Sequence, residues 1–432
     1  MSIESRAQQK FVAESRVIES IVSQYAEESA FLWLLRDAAV RSPDYSIREL
    51  ARLDSRIDAH LDGITVAGEH GWKVCVEELD WAEPGEVFAA SAIAFASDDV
   101  ARIQPILEAV RPDTNLARAM IAAIGFLPHA QVIDRISQLS GSHSPDLRFI
   151  GLSASAIHRI DPGTALNQSL ESEEPRLRAR AFRAAGELSR RDLVPQLRAG
   201  LKDNDQTARF WAAWALGVLG ERGAVDVLRE YATPEFVRWR DAINVASRIG
   251  DLATAQKWRS TLTSNDATVR QAVVAAGAIG DPVAIEWLIE LMSDKNLARL
   301  AGESFTSITG ADIALLKLEL ATPEDSEAGP TDDAEDENVE MDPDENLPWP
   351  DPSLVQAWWS QNKGQFAVGK RHLLGNVIAA DSLAHALHTG KQRHRAAAAI
   401  EIMISQPNSP KPLFEVRAHS RAQQRLLAAP TH

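Results

Sequence analysis

Cysteine is nearly absent from this chain, with one residue, Cys75, in 432. A lone thiol excludes an intramolecular disulfide and fits a reducing compartment. Its neighbours Val74 and Val76 are apolar, which predicts a buried structural thiol rather than a nucleophile. Tyrosine is also scarce, with three residues, and aromatics make up only 6%. Long apolar runs are missing as well. Phe31 to Leu35 and Ala396 to Ile400 fall far short of the roughly 20 residues that cross a bilayer. The opening MSIESRAQQKFVAES is too polar for a secretory signal. We therefore expect a cytoplasmic chain with no membrane partner.

Basic residues are missing from one tract. Between Lys317 and Lys363 there are none, against fourteen Asp and Glu. The formal charge of −16 is largely a property of this tract, because the rest of the chain carries only −2.

Catalytic signatures are missing too. The sequence has no phosphate-cradling glycine loop, no Gly-x-Ser-x-Gly elbow and no cysteine pair for zinc. His385 and His388, three apart with His394 nearby, come nearest to a metal cluster, but no defined carboxylate accompanies them. They read as a basic, pH-sensitive surface. No catalytic, cofactor or metal residue is expected, and the chain is not expected to be an enzyme.

What is present is alanine, leucine and arginine, a helix-favouring composition, arranged periodically. An arginine recurs at 118, 148, 178, 209, 238, 270 and 299, spaced by 30, 30, 31, 29, 32 and 29 residues. Around each, the same unit recurs, as in DNDQTARFWAAWALGVLGERGAVDVLREY from residue 203. Asp or Asn opens a first helix, glycine such as Gly220 or Gly280 closes it, and a second helix follows, headed in places by Asp281-Pro282 or Asp161-Pro162. A thirty-residue hairpin cannot bury its own apolar face, so neighbours must stack. Small residues such as Ala184, Ala185 and Gly186 permit close helix approach. Seven units run from about Asn115 to Thr322, after a degenerate one from Glu86 to Asp113.

The pattern Asp-x-x-x-[Val/Ala]-Arg-x-x-Ala-x-x-Ala-[Leu/Ala]-Gly-x-[Leu/Ile]-Gly resembles HEAT repeats, especially the short bacterial type of phycobilisome lyases. The resemblance covers about half the chain and implies an all-α, right-handed α-solenoid of helical hairpins. It says nothing specific about function. In such arrays the repeated arginine usually pairs with an inter-repeat acid, here Asp205, Asp266 or Asp294. The alternative is a ladder of anion sites.

Four parts are expected. Residues 1–84 form an N-terminal helical cap, with one apolar helix from Ile18 to Val40 and another behind Ser46-Ile47-Arg48-Glu49 that Gly63 stops. Residues 85–322 form the repeat array. Residues 323–351 form a disordered acidic linker. Residues 352–432 form a small basic helical module, with ten basic residues against three acids from Gln361 onward. The segments FLWLLRDAAVRSPDYSIRELARLDSRIDAHLDGITVAG and AWWSQNKGQFAVGKRHLLG, with the repeats, resemble an uncharacterised proteobacterial family often encoded near type VI secretion accessory genes. That resemblance implies an adaptor, chaperone or immunity-type role.

Function is expected to lie in binding a protein partner. Tryptophan and arginine dominate interface hot spots, so Trp211 and Trp239 on consecutive first helices are candidates. Core packing is the competing expectation for these rings. If one tryptophan is exposed, it is expected to be Trp211, because Ala212, Ala215 and Leu216 better define the buried stripe. The stretch Arg176, Arg180, Arg183, Arg190 and Arg191 is a second candidate, for an acidic partner, for phosphate or for the chain's own acidic linker. The competing reading is a nucleic-acid-binding solenoid using residues 176–202 or the basic C-terminal module. Residues 86–320 carry a net charge of only −3, which does not suit a nucleic-acid face.

Overall fold

The computed structural model describes residues 17–97, 99–111, 113–321, 342 and 344–428. Among them the only strands are β1 (His372–Leu373) and β2 (Asn376–Val377), a two-residue antiparallel pair. Everything else regular is helical, so the protein is an all-α solenoid. The chain divides into two compact units.

The smaller unit holds residues 1–40, 48–166 and 417–432. Its helices are α1 (Glu19–Ala39), α2 (Ile47–Val66), α3 (Glu69–Glu78), α4 (Pro84–Ala96), α5 (Ile103–Val110), α6 (Thr114–Phe126), α7 (His129–Ser140) and α8 (Pro145–Ile157). α1 appears where the apolar run predicts it. In α2, Leu50, Leu53, Ile57 and Leu61 form the buried stripe, as their spacing requires. Gly63 does not stop this helix. It lies inside α2, where a Cβ would fall 2.5 Å from the Tyr25 ring. Glycine is there because an aromatic ring lies on the backbone, an approach that the sequence alone does not reveal. α4, α6 and α8 pack in a row with α5 and α7 behind them. Cys75 is 1% exposed, and burial pushes its thiol up to about 12.

Glu78 ends α3 with its Oε2 buried and, among the described residues, without a hydrogen-bond partner. Burial, reinforced by Glu86 and Glu27, lifts its carboxyl to about 7. The folded chain therefore holds this proton more tightly than the unfolded chain does. Stability from this group is full below the usual glutamate value and is lost as pH rises towards 7. Glu78→Gln should raise stability by about 1 kcal/mol at pH 8, allowing for partial solvent screening, and much less at pH 5. Thermal melts at the two pH values decide it, and equal gains would refute the assignment.

The larger unit holds residues 41–47 and 167–416. After α9 (Thr164–Leu170), its hairpins are α10 (Pro175–Glu187) with α11 (Val194–Gly200), α12 (Gln206–Val218) with α13 (Val225–Glu230), α14 (Trp239–Ala246) with α15 (Leu252–Thr263), and α16 (Val269–Ile279) with α17 (Ile285–Leu291). α18 (Ala298–Thr309) is a first helix followed by turns rather than by a second helix. The first helices α10, α12, α14, α16 and α18 stack side by side. The predicted caps are in place: the Asp205 side chain accepts from Ala208 N and that of Asp281 from Val283 N. Gly186 permits the α10–α12 approach, since a Cβ there would lie 2.8 Å from Ala215 Cα.

The C-terminal helices α19 (Pro352–Asn362), α20 (Ala380–Thr389) and α21 (Gln392–Ser405) belong to this same unit up to residue 416. α19 packs on α17, with Val355 and Trp359 in a core shared with Ile285, Leu288 and Phe305. The Trp359 indole donates to Glu286 at 2.9 Å.

Beyond α19 the chain returns along the carboxyl ends of the first helices. His372 N donates to Gly280 O at 2.8 Å, Leu374 N to Ser307 O at 2.8 Å, Gly375 N to Ile308 O at 3.0 Å and Leu413 N to Glu187 O at 2.9 Å. Those carbonyls have no partner within their own helices. Arg371 adds its guanidinium, donating to Ile279 O at 3.0 Å and to Ala278 O at 3.3 Å, where the helix dipole is negative. Three of this segment's arginines are engaged within the fold, while Lys363, Lys370, Lys411, Arg421 and Arg425 stay exposed. Arg371 and Arg248 share Glu401, Arg393 Nη1 donates to both carboxylate oxygens of Glu303, and Arg395 is fully buried, donating to Leu387 O. α22 (Ser420–Ala428) belongs to the smaller unit. There Asp54 accepts from Ser420 N at 2.6 Å and from Arg36 at 2.5 Å.

Candidate functional site

The repeated arginine sits near the start of each first helix, where its side chain reaches short turns. Arg178 forks onto Asp203 with two 2.8 Å bonds, and this guanidinium holds the Asp203 carboxyl below its ordinary value. Arg209 donates to Asp203 O at 2.6 Å. Asp205 and Asp294, the expected acids, instead cap backbone N–H groups of Ala208 and Asn296. Arg118 reaches Asp37 at 2.6 Å within the smaller unit.

The last two arginines find acids far along the chain. Arg270 Nη2 lies 2.5 Å from Asp344 Oδ2, and Arg299 is paired with Asp342 while donating to Asp344 O at 3.0 Å. Arg240, the second residue of α14, lies 3.5 Å from Asp344 Oδ1. Burial brings the Arg240 guanidinium down to about 10 despite the neighbouring carboxylates of Glu303 and Asp344. Asp344 is 4% exposed. Asp342, Asp344 and Trp349 fall within the stretch expected to be a disordered linker, yet they lie against these arginines. Residues 323–341 of that stretch lie outside the described residues. Sequence reasoning missed the pairing because nothing in a run of fourteen acids marks two of them as partners of these arginines.

Aromatic rings continue the row. The Trp211 ring lies between Arg183, 4.5 Å away, and Arg238, 5.7 Å away. Arg240 lies 4.8 Å from the Trp239 ring, and Arg299 lies 4.6 Å from the Trp349 ring. Trp211 is not the exposed anchor expected. It is 8% exposed, packed edge-on against Trp214 and Phe210. A first helix in a stacked row buries almost its whole circumference, so the alanine stripe does not define one wet side. Trp239 is half-buried.

The Arg176–Lys202 stretch is mostly engaged within the unit. Arg180 and Arg183 share the buried Glu187 at 2.7 and 2.9 Å. Arg190 grips Asp192 with bonds of 2.8 and 2.7 Å. Arg191 donates to Leu219 O at 2.7 Å, capping α12, and burial lowers its own value. Arg176 is exposed. The histidines named from sequence part company: His385 and His388 are exposed, whereas His394 is buried beside Ser307 Oγ at 3.2 Å and is lowered by burial. Among the described residues no group of three or more His, Cys, Asp or Glu is arranged to hold a metal, and no helix is long and apolar enough to cross a membrane.

Stacked hairpins with a polar, arginine-rich row along the first helices define a helical-repeat scaffold, a class that typically binds proteins rather than catalysing reactions. Residues 163–244 match the family model for HEAT repeats. No curated protein matches the chain. Among solved structures, the chain is similar to an engineered protein from a structural genomics consortium, at 14% identity over 88% of this chain and 99% of that one, with a TM-score of 0.31.

Proposed function

We propose that the protein is a non-catalytic binding scaffold or adaptor, acting in the cytoplasm, that grips a protein partner along the arginine and tryptophan row of its first helices. The observation that carries this reading is the run of Arg183, Trp211 and Arg238 in stacked contact, with Trp239 and Arg240, the next two residues along the chain, stacked on each other. Arginine stacked on indole is the chemistry that concentrates binding energy at protein interfaces. The accessible members of the candidate set are Arg176, Arg238 and Trp239. Trp211 lies against Arg238 from within, with Arg183 on its other side. Arg180, Arg190 and Arg191 are engaged by Glu187, Asp192 and Leu219 O. The resemblance of the terminal segments to proteins encoded near type VI secretion genes is a reason to seek the partner first among accessory proteins of such a system.

Arg176→Glu with Arg238→Glu changes two surface side chains at little cost to the fold. Affinity capture from the native host should recover a defined partner with the unaltered chain and lose it at least tenfold with this double variant. Lys257→Glu, an exposed change on α15, should retain it. Equal capture by all three proteins would rule out the row as the binding face.

A further inference from the structure

The described residues on either side of the acidic tract are joined at a closed base. Leu320 N donates to Trp349 O and Asp351 N to Leu318 O, both at 2.8 Å. Past the base, Val355 and Trp359 fix α19 in the core. The contacts of Asp342 and Asp344 with Arg240, Arg270 and Arg299 are separate from this anchoring. Releasing those two aspartates would leave both the base and α19 in place.

The fit of the two aspartates is also incomplete. Arg240 Nη2 and Asp344 Oδ1 face each other at 3.5 Å, and among the described residues neither atom has a hydrogen-bond partner, although both are buried. Three guanidiniums from three neighbouring helices meet two carboxylates, with Trp349 stacked on the outermost guanidinium. A site with cationic surplus, spaced by the repeat, suits an extended carboxylate-rich peptide better than a single anion.

We propose that Arg240, Arg270 and Arg299 form a binding site for an acidic segment of a partner protein, and that the chain's own Asp342–Asp344 segment occupies it as a resident competitor. This rests on the scaffold reading and adds the chemistry of what the scaffold grips. The partner segment displaces the resident one by presenting carboxylates two residues apart, followed by an aromatic residue.

The probe is a labelled synthetic peptide with the sequence of residues 331–350 of this chain, TDDAEDENVEMDPDENLPWP. The full chain carrying Asp342→Asn and Asp344→Asn should bind it at least tenfold more tightly than the unaltered chain does. Adding Arg270→Gln and Arg299→Gln should abolish that binding. In the unaltered chain, excess peptide should speed hydrogen exchange at the amides of Asp344 and Leu347, which are bonded to Asp342 Oδ1 and Asp344 O. This second measurement needs no substitution. Equal binding before and after the aspartate changes, binding that survives loss of the arginines, or unchanged exchange would overturn the proposal. Comparable binding of a mixed-sequence single-stranded DNA at the same arginines would do so as well. If the host partner is still captured through Arg238 while the peptide fails, the scaffold reading stands and this one falls.

Discussion

Replacing Glu401 with alanine should destabilise the larger unit by about 4 kcal/mol, because it strands two guanidiniums in the interior. Glu401 is 3% exposed. It is paired with Arg371, and its Oε1 lies 3.1 Å from Arg248 Nε. Arg248 is buried, at 5% exposure, and desolvation already lowers it to about 10 even with the carboxylate present. Its Nη1 also donates to Asn244 O at 2.6 Å and Asn244 Oδ1 at 2.9 Å, which are neutral groups that cannot balance a full charge. Arg371 is better placed after the loss, since carbonyls at the end of α16 surround it. Denaturant unfolding should register the cost, with Glu401→Gln losing roughly half as much because it still accepts a hydrogen bond. A loss under about 1 kcal/mol for alanine would mean that water reaches these arginines and that the pair is not buried.

The second large effect is expected at Gly280, which ends α16 with φ +76°. A Cβ there would lie 2.3 Å from His372 O and 3.1 Å from His372 N. Gly280→Ala therefore adds a steric conflict with backbone to the left-handed strain of any L-residue, and about 3 kcal/mol is expected in all. Gly250 supplies the control. It has φ +95°, but nothing stands within 4 Å of its notional Cβ. Gly250→Ala should cost only the conformational part, about 1 kcal/mol. The difference between the two variants measures how firmly the returning chain is seated. Equal costs would show that His372 can yield freely.

The sequence made Gly280 legible as a helix stop and Gly250 much less so, because α14 follows an irregular turn rather than a capping acid. The period of the arginines was legible for a physical reason: each unit must place one long cation over the same short turn. Which acid that cation meets was not, because Asp203, Asp342 and Asp344 are chosen by where the chain goes afterwards. Arg371, Arg393 and Arg395 show the same limit. Their sign can be counted from the sequence, but their burial follows from the carbonyl and carboxylate partners that the returning segment brings to them. Gly63 was misread because a glycine under an aromatic ring and a glycine ending a helix look alike in one dimension. The candidate surface was legible in its chemistry, arginine beside tryptophan, and not in its exposure, since Trp211 turned inward.

Most repeat arrays behave as one-dimensional stacks, in which each repeat answers only to its neighbours and the end can fray without disturbing the middle. Here the closing residues of the larger unit tie repeats separated by well over a hundred positions, from Glu187 to Ile308, into one interlocked set. Loss of the terminal repeat then cannot proceed as quiet unzipping, and melting becomes close to all-or-none across the unit. The same tie delays completion of folding. The array must wait, partly uncapped, until the ribosome has released the residues that lock it.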